Sequence, residues 1–322
     1  MILDCHVHVS ATLPAHGRMS PRLLNSLPFR FMRWRLGLDP GGAGFDAQLE
    51  DRLATTIADT DGLDAAVLLA FDAVHDRHGR MDVGRTHLYV TNDHCAAVCR
   101  RHPRRMLFGA SVHPYRADAV AELERCKAMG AVLVKWLPIV QDFNPSDPKC
   151  DAFYEGLAGL KLPLLCHTGG EQSLPNLDKS TADPELLRPA LDRGVTVIMA
   201  HCGTRSTPRD DDFLPTFVRL AKEYEHCYGD TSALCLPTRT YAFDVLLNDP
   251  TVRSKLVHGS DWPILPVPPL MELPLREQWA LWRDPNWLRR DVRIKRQLGF
   301  DDAYWHRAAW VLNVERPAMG SF

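Results

Sequence analysis

The sequence predicts an α/β protein built from parallel βαβ units, and three observations carry that expectation. Short apolar, β-branched runs alternate along the chain with longer amphipathic stretches. The short runs number eight. Two of the long stretches end in glycine just before the next run, at Met129-Gly130 and Arg193-Gly194. Eight such units suggest a closed (β/α)8 TIM-type barrel in one domain spanning 1–322. The rhythm by itself is also compatible with an open doubly wound sheet.

Taken in order, the predicted strands are Ile2–Val9, Ala65–Phe71, Leu107–His113, Ala131–Leu137, Leu162–His167, Val195–His201, His226–Thr231 and Lys255–Asp261. The predicted helices are Asp82–His102, Arg116–Met129, Cys150–Leu160, Pro184–Arg193, Asp210–Tyr224 and Thr240–Asn248. The clearest helical face is Phe213, Phe217, Leu220 and Tyr224. Two long insertions follow the first and last strands, over Ser10 to about Glu50 and Trp262 to about Phe300. In a closed barrel those strands are neighbours, so both insertions overhang one side of the mouth. The Arg22–Leu38 stretch, with Arg22, Arg30, Arg33 and Arg35 among apolar residues, reads as a packed lid helix with snorkelling arginines.

Composition narrows the function classes. The chain has 322 residues, 45% hydrophobic and 24% charged, with a formal net charge of -2. That balance gives no electrostatic case for nucleic acid or an anionic membrane. No apolar run approaches the roughly 18 residues of a spanning helix. The N-terminus lacks the pattern of a signal peptide. Nine cysteines without disulfide-scaffold density fit reduced thiols in a cytoplasm.

The chemistry-bearing residues fall at predicted strand ends. His6 and His8 close the first strand, Lys135 nears the end of the fourth, His167 ends the fifth, His201 the sixth and Asp261 the eighth. Barrel enzymes build their sites at these carboxyl ends. Strand alternation sends His6 and His8 to one face, where two imidazoles can grip one cation. His167 and Asp261 complete a nitrogen and oxygen set suited to a divalent metal, zinc before manganese. By the same parity, Cys5, Cys166 and Cys202 point away, into the layer between barrel and helices. His113 and His258 read as structural, and Asp230 as a partner to a ligand. Glu171, Trp136 and Trp262 stand as substrate-binding candidates; Trp279, Trp282 and Trp287 read as core or interface.

These motifs resemble the amidohydrolase superfamily: His-x-His, the histidines at strands five and six, and Gly-Ser-Asp-Trp-Pro at 259–263. The nearest branch is the amidohydrolase-related group that includes aminocarboxymuconate-semialdehyde decarboxylase. Arg101-His102-Pro103-Arg104-Arg105, Ser111-Val112-His113-Pro114 and Gly130–Lys135 share that resemblance, which leaves both insertions uncovered. It implies a distorted (β/α)8 barrel with His6, His8, His167 and Asp261 as metal ligands. His201 then serves as a catalytic group or as a ligand of a second metal. Lys135 matches the position of a lysine that, once carboxylated, bridges two metals. One or two ions per chain therefore remain open, and a homodimer is implied.

Three functions follow. In hydrolysis of an amide, ester, lactone or carbon–carbon-linked carbonyl compound, a metal activates water. Asp261 is then the general base and His201 steadies the oxyanion or holds a metal. The alternative is non-oxidative decarboxylation, or hydration, of a small aromatic or unsaturated acid, with Lys135 or an arginine holding the carboxylate. A non-catalytic barrel would show a damaged constellation; every position is filled. The expected partner is a small-molecule substrate.

Overall fold

The computed structural model describes residues 1–39, 44–268 and 273–314. Its ten strands are β1 (Leu3–His8), β2 (Gly17–Met19), β3 (Ala65–Leu69), β4 (Leu88–Val90), β5 (Met106–Ala110), β6 (Leu133–Trp136), β7 (Leu164–His167), β8 (Val197–Ala200), β9 (Cys227–Asp230) and β10 (Leu256–Val257). Eight of them form one parallel sheet in the order β1-β3-β5-β6-β7-β8-β9-β10. These are the eight predicted strands, each shorter than its apolar run.

The sheet curls into a barrel, and irregular backbone closes the seam between β10 and β1. Cys5 N donates to His258 O at 3.0 Å, Asp261 N to His6 O at 2.9 Å, and His8 N to Trp262 O at 2.8 Å. Alternation along each strand then sorts two layers. Leu3, Val67, Leu69, Leu133, Leu165 and Ile198 fill the barrel interior. Val7, Leu68, Val134, Leu164, Val197 and Met199 pack outward against the helices. Position 109 has to be small: a Cβ there would meet Leu69 Cδ2 at 2.7 Å and Val67 Cγ1 at 3.0 Å.

Three local expectations are corrected. The single helix predicted over Asp82–His102 is a loop, then β4, then a helix over Asn92–Arg101 that Thr91 caps. β4 pairs antiparallel with β2 of the first insertion, a contact no local pattern encodes. In β1, Asp4 pairs with Ala66 but Val7 with Leu68, so Cys5 and His6 both stand opposite Val67. That bulge puts Cys5 in the interior cluster, not the outer layer. Cys166 and Cys202 do lie in the outer layer, and all nine cysteines are buried and unpaired. The sequence reading also named no helix at Phe45–Ala58, which begins inside the first insertion.

The Arg22–Leu38 stretch forms helices at Pro21–Leu24 and Leu27–Leu36, begun by Ser20 and Ser26 caps. Phe29, Met32 and Leu36 face inward. Arg33 lies over the Phe29 ring at 5.3 Å, the snorkelling arrangement expected. Among the described residues, no helix is long and apolar enough to cross a membrane.

Candidate active site

His6 Nε2, His8 Nε2 and Asp261 Oδ1 converge at the mouth: 3.1 Å between the imidazoles, and 3.3 and 3.2 Å from each to the carboxylate. Ligands about 2.0–2.1 Å from a tetrahedral divalent ion stand roughly 3.3–3.4 Å apart, so the triangle fits such an ion. A fourth donor is adjacent. His167 Nε2 is buried without a hydrogen-bond partner, the condition expected of a nitrogen that bonds a cation. The His167 ring stands 4.8 Å from that of His201, which stands 5.4 Å from His6.

The surroundings aim these nitrogens. Asp230 Oδ2 takes the Nδ1 proton of His6 at 2.7 Å, leaving the Nε2 lone pair facing the cluster. The Asp230 carboxyl, despite burial, is held well below the usual range by His6, His201 and the Ser232 hydroxyl. Gly259 makes room for the His6–Asp230 pair, because a Cβ there would approach His6 Cβ at 3.0 Å and Asp230 Oδ2 at 3.3 Å. Burial, followed by the Lys135 charge, lowers His6 to about 4. Burial opposes ionisation of Asp261 too, but His6, His8 and His201 around it hold its carboxyl well below the ordinary value.

His201 lies one residue past β8, at φ 61°, followed by Cys202 at φ 53°. That left-handed turn, not strand alternation, swings the imidazole into the site; interior parity belongs to Ala200. Its Nδ1 lies 2.9 Å from the Ser232 carbonyl, which can only accept, so Nδ1 carries the proton and Nε2 a lone pair. Burial keeps the ring neutral, lowering it to about 3. A neutral ring in this tautomer is an acceptor: it suits a base or a ligand, not the oxyanion donor expected from sequence.

Lys135 is buried with Nζ 3.2 Å from His6 Nε2, and burial lowers its pKa. Glu171 bends back to accept the Leu174 N–H at 3.1 Å; burial and the Asp261 charge raise its carboxyl. It lines the floor of the cavity beside His167.

Two predicted substrate residues are misplaced. Trp136 is fully buried on the outer face, stacked with Phe153 at 4.8 Å and donating to Val112 O at 2.7 Å. The parity that turns Lys135 inward turns Trp136 outward. Trp262 is buried in the seam, where its carbonyl binds His8 N; Pro263 and Ile264 line the cavity instead. His113 and His258 are structural as expected, bound to Gln141 O at 3.0 Å and the Tyr304 hydroxyl at 3.2 Å. Of the other tryptophans, Trp287 is buried and Trp279 and Trp282 are exposed.

Several residues escaped the sequence reading. Arg239 is buried and clamps two site loops, donating to Gly170 O at 2.6 Å and Thr204 O at 2.9 Å. Lys295, from the second insertion, holds Gly259 O at 2.7 Å and Asp291 at 2.5 Å. Asp4 Oδ1 accepts the N–H of both Ser260 and His6 at 3.0 Å. Together these pin the turn that presents Asp261 at φ 66°. A buried lysine in an amphipathic stretch was the one signal available for Lys295. Above the cluster opens a cleft of about 860 Å³, partly open to solvent, walled by the lid residues Leu23, Phe29 and Met32, by Leu88 of β4, and by Phe71 and Leu137 at the barrel rim.

A (β/α)8 barrel with a histidine and carboxylate cluster at its carboxyl rim defines a class of metal-dependent enzymes. Within that class, the amidohydrolase family model matches residues 3–293, and the chain belongs to that family. No curated protein sequence matches it. Solved structures share the fold at low identity. An uncharacterised TIM-barrel protein from Bordetella bronchiseptica is 17% identical, with a TM-score of 0.60 over 92% of this chain and 99% of that one. A probable 2-pyrone-4,6-dicarboxylic acid hydrolase from Acinetobacter baumannii is 15% identical, with a TM-score of 0.57 over 97% and 99%. A 2,6-dihydroxybenzoate decarboxylase is 15% identical, with a TM-score of 0.55 over 97% and 98%. The family uses divalent metals, and the cluster offers groups to hold one.

Proposed function

We propose that this chain is a metal-dependent hydrolase that cleaves an amide, ester, lactone or carbon–carbon bond beside a carbonyl in a small organic substrate. One observation carries the reading: two imidazole nitrogens and a carboxylate oxygen, 3.1–3.3 Å apart, meet at the floor of a substrate-sized cavity. His6, His8, Asp261 and His167 would hold the ion. A divalent cation in that position supplies acidity to a water molecule and polarises the scissile carbonyl. Asp261, ionised under the surrounding histidines, takes the proton from water and returns it to the leaving group. Asp230 and the Ser232 carbonyl keep His6 and His201 in the tautomers that present Nε2. His201 accepts a proton or serves as a further ligand. Glu171 orients the substrate from the floor.

Decarboxylation with a lysine or arginine holding the substrate carboxylate is disfavoured, because among the described residues that line the cavity there is neither. Turnover in ¹⁸O-water tests the choice. Label in an acid or alcohol product supports hydrolysis; carbon dioxide release from a carboxylated substrate with no label in the organic product overturns it. Metal counted by mass spectrometry completes the picture. About one ion per chain fits the set just given. About two implies a carboxylated Lys135 and His201 as a ligand.

A further inference from the structure

The cavity above the cluster is divided by chemistry. Its floor holds every ionisable group: His8, His167, His201, Asp261 and Glu171. Its walls are apolar, and the first insertion supplies much of them. Leu23, Phe29 and Met32 descend from the lid helices to face Phe71 and Leu88. Apart from the floor, the described lining offers as polar side chains only the uncharged serines Ser10 and Ser173.

Neither of the buried cations near the floor belongs to the described lining. Lys135 sits against His6. The terminal nitrogens of Arg239 bond Thr204 and Gly170, behind the Glu171 loop. A divalent ion on the floor would be taken up by Asp261, the histidines and the reacting carbonyl, leaving no charge for a second carboxylate. A second carboxylate on the substrate would lose its water against these walls and meet no counter-charge. An aryl or alkyl group would bury its surface there instead.

We propose that the substrate is a carbonyl compound whose group beyond the reacting carbonyl is uncharged and apolar, aryl or alkyl, with Leu23, Phe29 and Met32 setting that preference. This rests on the hydrolase reading for the reacting end alone. A di- or tricarboxylic acid is excluded as the natural ligand.

Calorimetry on the zinc-loaded protein tests it with 3-phenylpropionohydroxamate against succinic monohydroxamate, a carboxylate-tailed partner of the same chain length. The phenyl compound is expected to bind at least tenfold tighter, and alkyl hydroxamates to gain about fourfold per methylene. Met32→Arg should narrow or reverse the preference. Met32→Ala, which adds no charge, should weaken the phenyl compound and leave the carboxylate unchanged. The corresponding amides, titrated into chelator-treated protein, report the walls without any metal. Phenyl selectivity among the amides, with no advantage of hydroxamate over amide, would sink the metal-hydrolase reading and keep this one. Equal or tighter binding of the carboxylate-tailed compound in both series, or binding of neither amide at millimolar concentration, would overturn it.

Discussion

Two clusters in this molecule contain the same donors, two histidines and an aspartate, within 4.8 Å of one another: His6, His8 and Asp261 at the rim, and His16, Asp46 and His94 under the lid. Composition and spacing do not separate them; their neighbours do. In the rim cluster Asp230 takes the outer proton of His6, and His167 Nε2 stays unpartnered. The ligand atoms of His6, His8 and Asp261 face one another there, with only Lys135 Nζ, 3.2 Å from His6 Nε2, as a donor among them. Under the lid every carboxylate oxygen is used. Asp46 Oδ1 accepts from Thr12 N and Thr12 Oγ1 at 2.8 Å, and Oδ2 from His16 Nδ1 at 2.8 Å and Leu13 N at 3.3 Å. His94 stacks on His16 at 4.0 Å. The second cluster is a latch, joining the start of the insertion to helices Phe45–Ala58 and Asn92–Arg101. A metal-like composition therefore means a site only where hydrogen bonding leaves the ligand atoms unsatisfied.

The contrast breaks most sharply at the rim carboxylate. Asp261→Asn should keep the far-ultraviolet dichroism of the parent and lower kcat/KM by roughly 10²–10⁴-fold, the worth of a general base. Chelation should abolish turnover in the parent, with zinc restoring it. Near-parental rates in Asp261→Asn would end the assignment. Next comes the neighbour that aims the ligand. Asp230→Asn should weaken zinc binding by about 10–100-fold in competition titrations, because His6 loses the acceptor that fixes its tautomer. An unchanged affinity would show that the tautomer is set elsewhere.

The latch should respond in the opposite sense. Asp46→Ala leaves half-buried donors without their acceptor, so denaturant unfolding should show a loss of about 1 kcal/mol while bound metal per chain stays at the parental value. Metal loss in step with stability would erase the distinction between the clusters. A pH dependence of similar size comes last. Burial, reinforced by His16 and Arg101 against Asp46 and Glu50, lowers His94 to about 4. Unfolded, it titrates near the ordinary value of about 6.5, so the unfolded chain binds the extra proton. Its contribution is full above pH 6.5 and is lost as pH falls toward 4. Between pH 7 and 5 that amounts to about 1–2 kcal/mol, and His94→Gln should flatten this part of the stability profile.

Barrel rhythm, the eight strand positions and which residues stand at the strand ends were all legible in the sequence. Each of those is a local property: side-chain period reports which face a residue takes, and chain order reports which strand end it occupies. It also separated Cys166 from His167 correctly, because one strand alternates. Only the tertiary structure decided the rest. The β1 bulge turned Cys5 inward, since register depends on a partner 60 residues away. A left-handed turn, not a strand, aims His201. The parity that correctly turned Lys135 inward had already placed Trp136 outside, a consequence the sequence reading left undrawn. The β2–β4 pairing and the apolar walls come from segments far apart in the chain. Which nitrogen of His6 and of His201 carries a proton is set by Asp230 and Ser232 at the end of β9. Local pattern fixes facing; contacts between distant segments fix which ring nitrogens are satisfied and which face the cluster.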